Sequence, residues 1–370
     1  MERDYILMNK DTPLLSFHLK DLGSELFTVS NIMQISSSTI DSERQLRLLI
    51  NQKKPAKNRE YLEKLLEQMQ INSVSGYLDV SYGLSLNDTL WFKPVDADDS
   101  INWENLNLYD NEFNETIAHF AFCGQGLAGL HMKTTSPEYG TNGMLPKCWH
   151  REEDGQIYLY KGGTSGCSNT GNEPYSEYMC SCILAAMEMP NYVSYDLKHY
   201  HGKLVSSCKL FTSKELGYVP LCNYRMPDDF TDILSMFDDL GLREAFDNLM
   251  VFDALVYNTD RHLNNYGLLR NNETFTVEGM APIFDNGIGM LPYYTLDKDI
   301  FEYAKQYDYQ NSGLSNDDIL ELCLQDRHKK MISRLVDFRF PKHPLFDLPQ
   351  ERIERLEQLL QHRIRYILSK

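Results

Sequence analysis

The sequence predicts an α+β chain of two lobes, a mixed α/β N-terminal lobe and a mainly helical C-terminal lobe, preceded by an accessory α/β region. Three observations lead there. The chain has 370 residues, more than the ~100–200 of one typical domain. Short apolar runs at strand spacing dominate up to residue 222, whereas apolar residues recur at helical spacing from there on. An apolar fraction of 42% and an aromatic fraction of 12% are enough for a buried core in each part. The expected division is therefore 1–112 for the accessory region, 113–222 for the first lobe and 223–370 for the helical lobe.

In the accessory region, strand-like runs at residues 5–8, 77–80 and 89–92 flank a charged helical stretch over 42–69. Pro55 breaks that helix, and the run Lys53-Lys54-Pro55-Ala56-Lys57 reads as a solvated turn. The next part opens with a helical stretch from Glu115 and reaches a polar turn at 152–155. A strand, Gln156-Ile157-Tyr158-Leu159-Tyr160-Lys161, follows the turn. Beyond a Gly/Ser/Thr/Asn-rich loop over 162–172, Glu173-Pro174-Tyr175-Ser176-Glu177 opens a helix. Proline suits a first helical turn and acidic residues there favour the helix dipole. Strands are expected at 193–197 and 204–210, and Val219-Pro220-Leu221-Cys222 reads as a linker. Helices are expected at 230–237, 243–257, 316–338 and 350–368.

A net charge of −17, spread along the chain, opposes binding to polyanions, so nucleic acid is not an expected partner. Eight cysteines include no Cys-x-x-Cys pair and none has a His at zinc-finger spacing, which argues against a structural zinc cluster. No stretch approaches the ~20 apolar residues of a membrane span, and the charged start Met1-Glu2-Arg3-Asp4 is unlike a signal peptide. A cytoplasmic protein with no membrane partner is the expectation.

The chemistry concentrates in Asn258-Thr259-Asp260-Arg261-His262-Leu263-Asn264-Asn265. Phosphoryl transfer requires an oriented nucleophile, Mg²⁺ between phosphate oxygens and a cation on the nucleotide phosphates. A catalytic Asp followed five residues later by a metal-binding Asn is the spacing used in protein kinases, and Asp260 and Asn265 have it. Strand-like residues 266–270, a turn at Asn271-Asn272-Glu273 and a return arm over 274–277 then lead to Ala281-Pro282-Ile283-Phe284-Asp285-Asn286-Gly287. Arms of about five residues, each ~16 Å long, bring Asp285 back towards Asn265. An amide oxygen and a carboxylate then face one cavity, as hard-oxygen ligands suited to Mg²⁺, with Gly287 relaxing the backbone beside Asp285.

These strings resemble HipA-like serine/threonine kinases over residues 113–340, and Asp260-Arg261-His262 is also similar to the related phosphoinositide kinases. The resemblance implies a protein-kinase-like fold and transfer of the ATP γ-phosphate to a serine or threonine hydroxyl of a protein substrate. It makes Asp260 the catalytic residue and Asn265 and Asp285 the Mg²⁺ ligands. Lys161 would meet the α/β phosphates, with Glu177 as its ion-pair partner and Glu173 as the competing one. Thr141-Asn142-Gly143-Met144-Leu145-Pro146-Lys147 is similar to the family's phosphate-covering loop, with Thr141, Asn142, Gly143 and Met144 as its candidate site residues, and Cys222 in the linker is counted with the nucleotide site. An antitoxin or other regulatory protein is the candidate partner.

Each assignment has a plainer alternative. The Asp260 to Asp285 region could be an Asn/Asp-rich surface turn, and Lys161 a solvated strand-end lysine, with Lys147, Lys203 and Lys209 as rivals. Glu177 could serve only the helix dipole. Arg261 is read as bracing the loop, His262 as a buried ring that bonds backbone carbonyls, and Asp253 as a buried hydrogen-bonding residue. Cys180 and Cys182 are read as packing residues. A lipid or small-molecule kinase of the same fold, and a catalytically silent nucleotide-binding module, remain as alternative functions.

Overall fold

The computed structural model describes residues 2–23, 26–36, 40, 42–54, 60–68, 71–124, 135–141, 143–167 and 169–370. The chain opens with β1 (Glu2–Asn9), β2 (Thr12–Gly23), β3 (Leu26–Gln34), α1 (Glu43–Lys53), α2 (Glu60–Gln68), α3 (Val74–Ser81) and β4 (Leu90–Pro94). Next come α4 (Trp103–Leu106), α5 (Glu115–Cys123), β5 (Lys147–Arg151), β6 (Ile157–Lys161), α6 (Glu173–Ala186), β7 (Tyr195–Tyr200), β8 (Lys203–Lys209), β9 (Leu216–Pro220) and α7 (Leu221–Tyr224). The remainder is α8 (Phe230–Asp239), α9 (Arg243–Val256), β10 (Gly267–Asn271), β11 (Val277–Met280), α10 (Ile300–Ala304), α11 (Asn316–Cys323), α12 (Asp326–Ser333) and α13 (Gln350–Ser369). Three sheets have the orders β3-β2-β1-β4, β5-β6-β8-β7 and β11-β10-β9. The mixed α/β character expected from the sequence is present.

The chain divides into two compact units. The first comprises Met1–Leu159, Thr212–Tyr218 and Arg270–Val277, and the second Tyr160–Phe211, Val219–Leu269 and Glu278–Lys370. No helix among the described residues is long and apolar enough to cross a membrane.

The first unit is built on the antiparallel β1–β2–β3 meander, with β4 pairing antiparallel to β1. Alternate residues of β2, among them Leu15, Phe17 and Leu19, point into a core that also takes Tyr5, Phe92, Ile50, Leu78 and Ile117. Strands β2 and β3 were not expected from the sequence, although apolar and polar residues alternate along both, at Leu15, Phe17 and Leu19 and at Phe27 and Val29, as in a half-buried strand. The opposite error occurs at 77–80, which lies in helix α3, not a strand. There Val74, Tyr77, Leu78 and Ser81 are buried at helical spacing, and the Ser73 side chain caps the helix by accepting from Gly76 N. Helix α1 stops at Lys53, before Pro55, but Lys53 is not solvated. Its side chain is 3% exposed and its ammonium bonds Asp88, Ser85 Oγ and the Leu90 carbonyl. Residues 55–57 of that run lie outside the described residues.

In the second unit α9 is buried along most of its length and ends at Tyr257, whose left-handed φ of +59° turns the chain into residues 258–265. Strands β10 and β11 are neighbours, as the expected out-and-back pair requires, but the return arm begins at Val277 instead of 274. The reason is Asn271, whose Oδ1 accepts from Glu273 N at 2.9 Å and Thr274 N at 3.0 Å and so prolongs the turn. The single helix expected over 316–338 is two, α11 and α12. Gln325 is extended and forms a capping box with His328, which starts α12 afresh. Helix α13 closes the unit by packing on α9, α10 and α12.

Candidate active site

The second unit gathers Lys161, Glu177, Asp260, Asn265, Asp285 and Cys222. Lys161 ends β6, where strand pleating turns it into the interior: it is buried, not a solvated strand end. Its ammonium bonds both the Glu177 and the Asp285 carboxylates. Burial alone would push the ammonium's pKa down, but the two carboxylates outweigh that and raise it, so Lys161 stays charged. Burial pushes the Glu177 carboxyl up, opposed by Lys161 and by the Asn286 N–H that donates to Oε2 at 2.8 Å. Those two donors suit the ionised form.

The competing partner, Glu173, is committed elsewhere. Its Oε1 accepts from the Tyr293 hydroxyl at 2.7 Å and its Oε2 from Thr164 N at 3.2 Å. It therefore anchors the glycine-rich loop, where Gly163 passes too close to Gly171 to carry a side chain. Of the rival lysines in sequence, Lys203 and Lys209 are exposed.

Residues 258–265 are held by Arg261, which is buried and uses every guanidinium nitrogen. Nε donates to Asp253 Oδ2 at 2.8 Å, and Nη2 to Asp253 Oδ1 at 3.0 Å and Asn286 Oδ1 at 2.7 Å. Nη1 donates to the Asn265 carbonyl at 3.0 Å and also to the Phe284 carbonyl. Because one nitrogen serves both carbonyls, the backbone at Asn265 and just ahead of Asp285 lie side by side. Arg261 thus braces the loop, and Asp253 is the buried acceptor expected. Asn258 joins them through Nδ2, which donates to Asp253 Oδ1 at 2.9 Å.

Asp260 projects at the exposed edge of this loop. Asn265 donates from Nδ2 to the Asp260 carbonyl at 3.2 Å, so its Oδ1 is the atom available as a ligand. Asp285 is about one-third exposed. With φ at +57° it occupies the left-handed region itself, whereas Gly287 does not. The sequence reading that Gly287 relaxes the turn is corrected accordingly: a Cβ there would meet Glu173 and Glu177 at 3.6 and 3.7 Å, ordinary van der Waals contact, so neither backbone nor space requires glycine at this position. The strain at Asp285 is held by Tyr195, whose hydroxyl accepts from Asp285 N at 3.2 Å.

His262 is a second correction. It is exposed rather than buried, and its Nδ1 accepts from Asn264 N at 3.3 Å instead of bonding a carbonyl. Cys222 reaches the loop from α7: its Sγ lies 2.9 Å from Asn264 Oδ1 and its N–H donates to the Leu263 carbonyl at 3.3 Å. Burial raises that thiol's pKa. Cys180 is buried beneath Asn286, with its Sγ 3.8 Å from the Asn286 carbonyl.

Thr141, Gly143 and Met144 belong to the first unit, and Asn142 lies outside the described residues. The Thr141 hydroxyl donates to the Pro137 carbonyl at 2.7 Å and accepts from Trp149 Nε1 at 2.8 Å. Gly143 has a φ of +96°, and Met144 is highly exposed.

Two residues central to this cluster were not singled out from the sequence. Asn286 ties Glu177, Arg261 and Cys180 together, and its position between Asp285 and Gly287 was a usable signal. Tyr195 carried none, because β7 is distant in sequence from Asp285. The Asp285 carboxylate and the Asn265 amide oxygen are hard-oxygen groups of the kind Mg²⁺ takes, and the Lys161 ammonium beside Asp285 suits a phosphate. No cluster of three or more His, Cys, Asp or Glu positioned to hold a metal occurs among the described residues.

Neither a protein-family model nor a curated protein sequence matches the chain. Among solved structures, it is similar to the Shewanella oneidensis MR-1 toxin–antitoxin complex of HipA, HipB and operator DNA. The TM-score there is 0.58 at 12% identity, covering 99% of this chain and 99% of the other. It is also similar to the Helicobacter pylori proinflammatory kinase CtkA, with a TM-score of 0.46 at 21% identity over 60% of this chain and 93% of that one. The chain has a HipA-like fold.

Proposed function

We propose that the protein is an ATP- and Mg²⁺-dependent kinase that transfers the γ-phosphate to a serine or threonine hydroxyl of a protein. The observation that carries this reading is the buried Lys161–Glu177–Asp285 cluster joined through Asn286 and Arg261 to the Asp260–Asn265 loop. In this reading Asp260 orients the acceptor hydroxyl and takes its proton, which suits a carboxylate at the exposed edge of a rigid loop. Asn265 and Asp285 would hold Mg²⁺, which when bound neutralises charge between the phosphate oxygens. Lys161 would bind the α/β phosphates, and Glu177 keeps its ammonium aimed. Thr141, Asn142, Gly143 and Met144 would cover the phosphates through their backbone, since the Thr141 hydroxyl is already bonded within its own turn. Cys222 would border the nucleotide.

The same proposal includes a bilobed arrangement with residues 113–222 and 223–370 as the kinase lobes and 1–112 as an accessory region. It also includes a cytoplasmic setting and a regulatory protein partner, by analogy with HipB in the S. oneidensis complex. The net charge of −17 argues against direct contact of this chain with DNA. The test is phosphate transfer from labelled Mg-ATP to the protein itself or to a cell lysate. Asp260→Ala should abolish transfer while nucleotide binding survives, and Asp285→Ala should weaken binding of the metal nucleotide. A protein that shows neither a thermal shift with Mg-ATP nor any phosphate incorporation overturns the reading.

A further inference from the structure

Whether Glu177 meets Lys161 depends on the orientation of α6. At 100° per residue, Glu173, Glu177 and Cys180 share one face of that helix, and their contacts with Tyr293 and Asn286 agree. Tyr175 and Tyr178 leave from another side, with Tyr175 roughly 200° around from Glu177. The stretch between α12 and α13 covers them. The Tyr175 hydroxyl donates to the Asp347 carboxylate, and its ring meets Phe346 edge-on with centroids 5.2 Å apart. Tyr178 stands 5.9 Å from the same Phe346. At the far end of the helix, Arg334 Nη1 donates to the Met187 carbonyl at 2.7 Å and Nη2 pairs with Glu188 at 2.9 Å. Asn172 makes no side-chain capping bond to the first turn; its Nδ2 donates instead to the Pro292 carbonyl at 3.0 Å, so the start of the helix depends on contacts with other segments.

We infer that residues 334–347 form an intramolecular brace that sets the orientation of α6, and through it the alignment of Glu177 with Lys161. Arg334 holds the C-terminal end, and the Tyr175–Asp347 contact holds the end nearer the site. Glu173 also holds the site end, through Tyr293 and Thr164 N, so releasing the Tyr175–Asp347 contact loosens that end without freeing it and lets Glu177 drift from the ammonium. Tyr175 and Asp347 are then positioning residues. Their effect on turnover rests on the kinase reading above, whereas the brace itself does not.

The experiment uses the full chain and four variants. Asp347→Ala and Tyr175→Phe remove the contact, Asp347→Asn keeps a neutral acceptor for the hydroxyl, and Tyr366→Phe removes a matching hydroxyl–carboxylate bond, to Asp317, elsewhere. Hydrogen exchange is followed in peptides covering 173–187, and ADP release from ATP with MgCl₂, with water or the protein's own hydroxyls taking the phosphoryl group, gives kcat and KM. Asp347→Ala and Tyr175→Phe should speed exchange in 173–187 and lower kcat, each about tenfold, with KM for ATP held within about twofold. Asp347→Asn should recover most of both, and Tyr366→Phe should change neither. Unchanged exchange in the first two variants overturns the brace whatever the turnover. Faster exchange with unchanged kcat overturns its link to the site. A wild-type protein that releases no ADP overturns the kinase reading alone, and the exchange data then uphold or overturn the brace.

Discussion

Arg261 offers a quantitative test of how the candidate site is held. Arg261→Met removes a buried guanidinium and leaves the Asp253 carboxylate, itself 0% exposed, without its charged partner. Breaking a buried ion pair from one side costs about 3–5 kcal/mol. The Asn265 and Phe284 carbonyls lose their donor as well, adding roughly 1 kcal/mol each unless other partners reach them. Asp253→Leu leaves the guanidinium buried and uncompensated, for about 3–5 kcal/mol again. In the double variant no buried charge remains, and the orphaned carbonyls dominate a loss of about 2–3 kcal/mol. The double variant should therefore lose at least ~3 kcal/mol less than the sum of the two single variants. The assay is equilibrium urea unfolding followed by far-ultraviolet circular dichroism. Tryptophan fluorescence is the wrong probe, since Trp91, Trp103 and Trp149 all sit in the first unit and Arg261 in the second. Additivity within about 0.5 kcal/mol would show that Arg261 is not the tie described.

The buried His328 imidazole, whose Nε2 lies 2.9 Å from Asn248 Oδ1, is pushed down to about 4 by burial and by nearby Arg327. The unfolded chain takes up that proton near pH 6.5, so stability should fall between pH 6.5 and 4, by up to about 3 kcal/mol, and His328→Gln should flatten that part of the profile. Gly163→Ala places a Cβ 2.6 Å from Gly171 Cα and should destabilise by about 1–3 kcal/mol, whereas Gly279→Ala, in open space, should stay within about 0.5 kcal/mol in the same unfolding assay. Maleimide should label Cys167, which is exposed, well before Cys148, Cys180, Cys208 and Cys323, which are buried; early labelling of Cys180, whose thiol burial holds well above its usual pKa, would contradict the packing around Asn286.

Much of the chain from Glu173 onward was legible in the sequence because its signals are local. The apolar stripe of α9, the Asp260 to Asn265 spacing, the turn at Asn271 and the Pro174 helix start each follow from backbone or side-chain preferences within a few residues. The out-and-back strands even placed Asp285 on the right side of the chain from Asn265. Strands β2 and β3 also carry a local signal, the alternation of apolar and polar residues, whereas at Ser73 a cap decides between strand and helix. The partners of buried charges were beyond local reasoning altogether. Lys53, a member of a basic run, is neutralised by Asp88; Lys161 chooses Glu177 over Glu173; Asp285 adopts a left-handed backbone because Tyr195 from β7 bonds its N–H. The residue types at the candidate site are written in the sequence. Their charge states and pairings exist only once distant segments exclude water from them, because burying a charge is tolerated only when tertiary structure supplies its partner.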